Sequence, residues 1–108
     1  MKDLREADIF KALSSPTRLE IITLLSECSL CVGALAASLN VTQPAVSQHL
    51  GILKNAGLVI SRKEGYRVHY SINARELNKT ADFLRLIGEK KSASASEGGG
   101  CRNRSKQR

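Results

Sequence analysis

The sequence predicts a mainly α-helical fold carrying one β-hairpin, and three observations predict it. Apolar residues recur at three- and four-residue spacing along most of the 108-residue chain, the period of amphipathic helices. After Gly57 the period changes: LVISRK and YRVHYSI alternate apolar and polar, the period of strands, around a Glu64-Gly65 turn. Between them and the chain start, VGALAASLNVTQPAVSQHLGILKNAG (32–57) reads as two helices joined by a tight turn. Helix, turn, helix and hairpin in that order make a winged helix-turn-helix.

The elements follow in order. Asp3 to Leu13 is a first helix with Leu4, Ala7, Phe10 and Leu13 on one stripe. Ser15 caps a second helix whose first position is Pro16, where a missing N–H costs nothing. That helix runs to about Ser26, with Leu19, Ile22 and Leu25 inward and Ile21 and Leu24 widening the apolar face. Cys28 to Cys31 bridges to the helix-turn-helix. Its first helix carries Val32, Leu35, Ala36 and Leu39 on one face, and Asn40-Val41 breaks it. Thr42 caps the next, Pro44 sits in its first turn, and Val46, Leu50 and Leu53 face inward. Asn73 caps a last helix, about Ala74 to Lys90, striped with Leu77, Ala81, Leu84 and Ile87 and flanked by Phe83.

Residues 1–90 are therefore expected to form one winged helix-turn-helix domain. From Lys91 the periodicity is lost in KSASASEGGGCRNRSKQR, which reads as a flexible basic tail carrying Cys101. The tail cations Arg102, Arg104, Lys106 and Arg108 read as solvated.

On the second helix of the pair, the inward residues leave Gln43, Ala45, Ser47, Gln48 and His49 pointing elsewhere, near the helix N-terminus. They are small or polar and offer donors and acceptors, as residues meeting base edges in a major groove must. Thr42 and Pro44 complete the candidate DNA-binding set on this helix. Arg62, Lys63 and Arg67 cluster near the hairpin tip, where they suit phosphate contacts that add affinity more than sequence choice. A plain surface helix and a solvated edge hairpin are the competing readings. The partner expected is double-stranded operator DNA, and the two-fold symmetry of operators favours a homodimer.

Composition agrees. A formal net charge of +7 suits a polyanion. Aromatics make up only 4% of the chain, so the core must be aliphatic. No apolar run approaches the ~20 residues that cross a bilayer, and the charged N-terminus lacks a signal-peptide stretch. We therefore expect no membrane partner, a cytoplasmic location and reduced thiols. The thiols have no acid–base partner beside them in sequence, which argues against an enzyme, and no organic cofactor is expected.

SSPTRLEIITLL, LCVGALAASLNVTQPAVSQHLGILKNAGLV and RKEGYRVHYSI together resemble the ArsR/SmtB family of winged-helix repressors, over about residues 7 to 88. The resemblance implies a homodimeric autoregulatory repressor that leaves its operator on sensing a metal ion, a metalloid or another stress signal. It places Gln43, Pro44, Ser47, Gln48 and His49 at DNA-reading positions and Arg62 and Arg67 on the wing. One sensor type of this family holds zinc between the last helices with Asp and His ligands. This chain has only His49 and His69, neither in its last helix, so that site is excluded. The arsenic-sensing branch carries Cys-Val-Cys-Asp-Leu-Cys, and the matching run here is Cys31-Val32-Gly33-Ala34-Leu35-Ala36, with only the first cysteine kept.

Two further thiols stand in for the missing ones. Cys28 and Cys31 form a C-x-x-C pair, and Cys31 opens a helix whose dipole favours the thiolate. Cys101 follows three glycines, a tether of wide reach. Soft thiolates select soft ions, and trivalent arsenic or antimony favours three sulfurs. The expected effector is therefore As(III) or Sb(III) at Cys28, Cys31 and Cys101. The alternatives are a disulfide or polysulfide switch sensing oxidants or reactive sulfur, thiols that only fill a helix junction, and an idle Cys101.

Overall fold

The computed structural model describes residues 5–97. It divides into two compact units, one ending at Leu77 and the other beginning at Asn78.

The first unit holds α1 (Arg5–Leu13), α2 (Pro16–Leu25), β1 (Leu30–Cys31), α3 (Val32–Leu39), α4 (Gln43–Asn55), β2 (Val59–Glu64), β3 (Arg67–Ile72) and the first turn of α5 (Ala74–Glu97). The helix boundaries follow the chemistry of their ends. Ser15 Oγ accepts from the Arg18 N–H at 3.3 Å, and Thr42 Oγ1 accepts from the Ala45 N–H at 3.3 Å. Asn73 caps α5 by accepting from the Glu76 N–H at 3.4 Å while its amide donates to the Gly57 carbonyl at 2.9 Å. Asn40 ends α3 in the left-handed region, φ 57°, a conformation its short polar side chain tolerates.

The core is aliphatic, as composition required: Ile9, Ala12, Ile21, Leu25, Leu35, Ala36, Val46, Leu50, Leu53, Leu58 and Val59 are buried together. The expected inward faces of α3 and α4 are the observed ones. Those of the first two helices hold only in part: Leu13, Ile22 and Leu25 pack as expected. On α1 Ile9 and Ala12 are buried and Leu13 packs beside them, whereas Ala7 of the expected stripe is exposed and Phe10 is 37% exposed. Leu4 lies outside the described residues. On α2, Ile21 and Leu25 are buried while Leu19 stands 48% exposed. On α2 apolar residues run around most of the circumference, so period alone does not choose the face, whereas α1 is amphipathic and packs through the Ile9–Leu13 edge of its apolar face.

The hairpin pairs Val59 with Ile72 through Glu64 with Arg67, antiparallel. Its two-residue loop is Gly65-Tyr66, one position later than Glu64-Gly65. Gly65 carries φ +66°, the left-handed first position that a primed hairpin turn requires. One strand was not legible in sequence. β1 pairs antiparallel with β3, Leu30 opposite Tyr70 and Cys31 opposite His69, giving a three-stranded sheet ordered β1-β3-β2.

The second unit is the remainder of α5. The helix continues through 91–97, beyond the expected end at Lys90. Alanine alternating with serine keeps helix propensity adequate there, and no breaker precedes Gly98. Cys101 and the tail cations lie outside the described residues.

Candidate operator face and thiol site

The cap at Thr42 and the buried trio Val46, Leu50 and Leu53 fix the rotation of α4. Thr42, Gln43, Pro44, Ser47 and Gln48 are exposed, and Ala45 and His49 are half-buried. Thr42 spends a lone pair on the cap, so its hydroxyl retains a proton to donate. His49 is engaged from below: an Arg18 guanidinium nitrogen lies 3.1 Å from its Nδ1.

On the wing, Arg62, Lys63 and Arg67 are all exposed, and Tyr66 at the tip is 99% exposed. The register puts Arg62 opposite His69 and Lys63 opposite Val68, so the two cations point to opposite faces of the ribbon. Lys54 at the end of α4 donates to Ser61 Oγ at 2.9 Å, joining the helix to the wing. Reading by pattern alone missed Arg18, Lys54 and Tyr66. The first two act through contacts distant in sequence, and Tyr66 was counted as a strand residue rather than a loop tip.

Cys31 belongs to three elements at once. It is half of β1, the cap position of α3 and the cross-strand neighbour of His69. Its sulfur makes no capping hydrogen bond, but it lies 4.0 Å from an Arg67 guanidinium nitrogen. The thiol is held below the usual cysteine range, chiefly by the Ala34 N–H, with smaller help from the Gly33 N–H and the Arg67 charge against opposing desolvation. A cavity of about 350 Å³ opens beside it, lined by Val32, Gly33, Arg67 and Val68. Cys28 is exposed in the turn after α2. Among the described residues, no three His, Cys, Asp or Glu side chains converge as a metal site would require. The expected third thiol, Cys101, lies outside them.

A lowered thiol pKa means that Cys31 is ionised to a greater extent near neutral pH than a free cysteine, and becomes protonated only as pH falls through the lowered value. Alkylation of Cys31 in a Cys28→Ser/Cys101→Ser background should therefore reach half its maximal rate at a lower pH than that of a free cysteine thiol measured alongside it. Arg67→Ala should raise that midpoint, and an unmoved midpoint would remove Arg67 from the account.

The model of the arsR family of bacterial regulatory proteins matches residues 15–61, from the α2 cap to the middle of β2. An HTH-type transcriptional regulator of Methanocaldococcus jannaschii is 45% identical over 87 residues, which is 79% of this chain and 93% of that one. The chain belongs to the ArsR family. The arsenical resistance operon repressor of Escherichia coli is another relative, 43% identical over 74 residues, covering 68% of this chain and 63% of that one. Among solved structures, the homodimeric winged helix-turn-helix DNA-binding domain of a possible ArsR-family regulator from Mycobacterium bovis is similar at a TM-score of 0.66 and 29% identity. The match covers 80% of each chain.

These relatives are transcriptional regulators, not enzymes, and ArsR-family membership makes this chain a winged-helix DNA-binding regulator. In the family's frame α3 and α4 are the helix-turn-helix, α4 is the recognition helix and β2–β3 is the wing. No helix among the described residues is long and apolar enough to cross a membrane.

Proposed function

We propose that this ArsR-family protein is a cytoplasmic, homodimeric repressor of a metalloid-resistance operon, released when As(III) or Sb(III) is held by Cys28 and Cys31 with Cys101 as third ligand. The observation that carries the effector half is the position of Cys31. Its thiolate-favouring setting is what a soft ion requires of a ligand. Cys28 is accessible and only three residues away. The E. coli relative named for arsenical resistance supports the same ligand class.

Release follows from what Cys31 touches. Drawing Cys28 and Cys31 onto one ion pulls the end of α2 toward the start of α3, and α3 carries α4 with it. The pairing of Cys31 with His69 adds a second route, because β3 is a strand of the wing. Arg67 serves both ends: its guanidinium neighbours the Cys31 sulfur, and it is one of the wing cations assigned to phosphate. Two recognition helices in a dimer must fit grooves ~34 Å apart, so a small tilt is costly. A coupling of about 1–3 kcal/mol would weaken operator binding roughly 5- to 150-fold.

Fluorescence anisotropy of the reduced protein on its own promoter DNA, titrated with arsenite at fixed salt, tests this. The wild type should be released near stoichiometric arsenite, while Cys28→Ser/Cys31→Ser should stay bound. Normal release of the double variant would refute the thiol assignment. Silence toward arsenite, antimonite and cadmium, with release and a covalent mass change after mild oxidation, would transfer the role to a disulfide or polysulfide switch.

A further inference from the structure

Arg18 is a half-buried cation that the operator and thiol sites leave without a task. It sits in the first turn of α2, yet its side chain serves two other helices. Its Nε donates to the Ala12 carbonyl at 2.6 Å, in the last turn of α1, where orphan carbonyls welcome a cation. Its terminal nitrogen lies 3.1 Å from His49 Nδ1 on α4.

The chemistry of that second contact is one-directional. A guanidinium has donors and no acceptor. His49 Nδ1 must therefore accept, and an imidazole accepting at Nδ1 carries its hydrogen on Nε2. The second consequence is electrical. A cation donating to one ring nitrogen draws electron density through the ring and strengthens the opposite N–H as a donor. The third is positional. His49 lies beside the inward row Val46–Leu50–Leu53 and is half-buried, whereas Pro44 and Gln48 stand exposed further out. A strengthened donor on the flank of a recognition helix suits a phosphate oxygen at the groove edge better than a neutral base edge at its floor.

We propose that Arg18 is a positioning residue that fixes His49 in the Nε2–H tautomer, and that His49 in this form donates to an operator backbone phosphate. The tautomer half stands on the free protein, whereas the phosphate half rests on the operator-binding reading above. His49 then contributes affinity and register rather than base choice, with the Arg18 charge delivered to the DNA through a neutral ring.

Long-range proton–nitrogen correlation spectra of the reduced, nitrogen-15-labelled full chain test the first half, with His69→Gln assigning the two histidines. The wild type should show His49 protonated on Nε2 and bare at Nδ1, and Arg18→Ala should mix the tautomers. A proton on Nδ1, or a tautomer indifferent to Arg18→Ala, would overturn the lock. Operator anisotropy tests the second half. His49→Gln, whose amide reaches about as far as Nε2, should bind within about threefold of wild type. His49→Ala and His49→Asn should each lose roughly tenfold, equally on operators differing at any one base pair. A single methylphosphonate at the contacted phosphate should weaken the wild type and leave His49→Ala unaffected.

These His49 variants remain informative if Arg18→Ala fails to fold. A base preference altered by His49→Ala, with no methylphosphonate position masked by it, would overturn the phosphate contact. A wild type with no specific operator binding would overturn the operator reading and the contact together. The spectra distinguish that failure from failure of the lock, because they require no DNA.

Discussion

Leu50→Ala is expected to destabilise the protein by about 2–5 kcal/mol. Leu50 is 1% exposed in the middle of α4, within a cluster where Leu35, Val46, Leu53 and Leu58 are each 0% exposed. The substitution removes three carbons from a core with no buried aromatic that can lean into the gap, so most of the cavity persists. A unit of this size has roughly 0.05–0.15 kcal/mol of stability per residue, so one side chain can carry half of the total. Urea unfolding followed by circular dichroism reads it as a lowered midpoint at constant slope.

The neighbouring position supplies a control of opposite sign. A Cβ at Gly51 would meet nothing within 4 Å, so Gly51→Ala should stabilise by about 0.5–1 kcal/mol through helix propensity alone. A loss below about 1 kcal/mol for Leu50→Ala would mean that α4 is not anchored by its apolar row. The rotation that leaves Ser47 and Gln48 exposed would then have another cause.

That rotation was legible in the sequence because α3 and α4 obey simple rules. The apolar row of α4 is flanked by polar residues, and both helices have recognisable ends, so period and cap agree with the packed structure. The hairpin was equally legible, apart from a one-residue shift of its turn. That shift follows from backbone conformation, since glycine belongs at the first loop position and strand alternation says nothing of φ. The faces of α1 and α2 were legible only in part, at Leu13, Ile22 and Leu25. On α2, with apolar residues nearly all round, Leu19 competes with Ile21, and on α1 Phe10 competes with Ile9 within one wide apolar face, so only the shape of the packed core decides between them.

The candidate site divides in the same way. The recognition-helix and wing residues came from local pattern, and the structure leaves them exposed except for Ala45 and His49, which are half-buried. The surroundings of Cys31 did not, because β1 is two residues long and has no period of its own. Pairing with a distant strand is what brings His69 and Arg67 to the thiol, and the Arg18–His49 contact likewise joins residues on different helices. Sequence patterns report faces and ends, whereas contacts of this kind exist only once the chain has folded.

The second large effect concerns assembly. Leu84 and Ile87, each 52% exposed, stand three residues apart on α5, and Leu86 between them is 56% exposed. The polar side of the same helix is committed to its own ion pairs, Arg85 with Asp82 and with Glu89. Leu84 and Ile87 share one face of the helix, whereas Leu86 falls on the side of Asp82 and Glu89. Two large aliphatic side chains half in water on one face is a cost that a second copy of the chain would remove, and the M. bovis neighbour is a homodimer. Leu84→Glu/Ile87→Glu should therefore leave the unfolding midpoint nearly unchanged, because neither side chain belongs to the buried core, while sedimentation shifts to a monomer. Operator affinity should fall by about 10²- to 10⁴-fold, the avidity lost when two half-sites are no longer held by one linked pair. Isolated half-site DNA should bind both forms alike. A variant that stays dimeric would put the interface on another surface. A monomeric variant with undiminished operator affinity would mean that one winged helix suffices, and effector release would then have to act within a single protomer, through α3 and the wing that Cys31 joins.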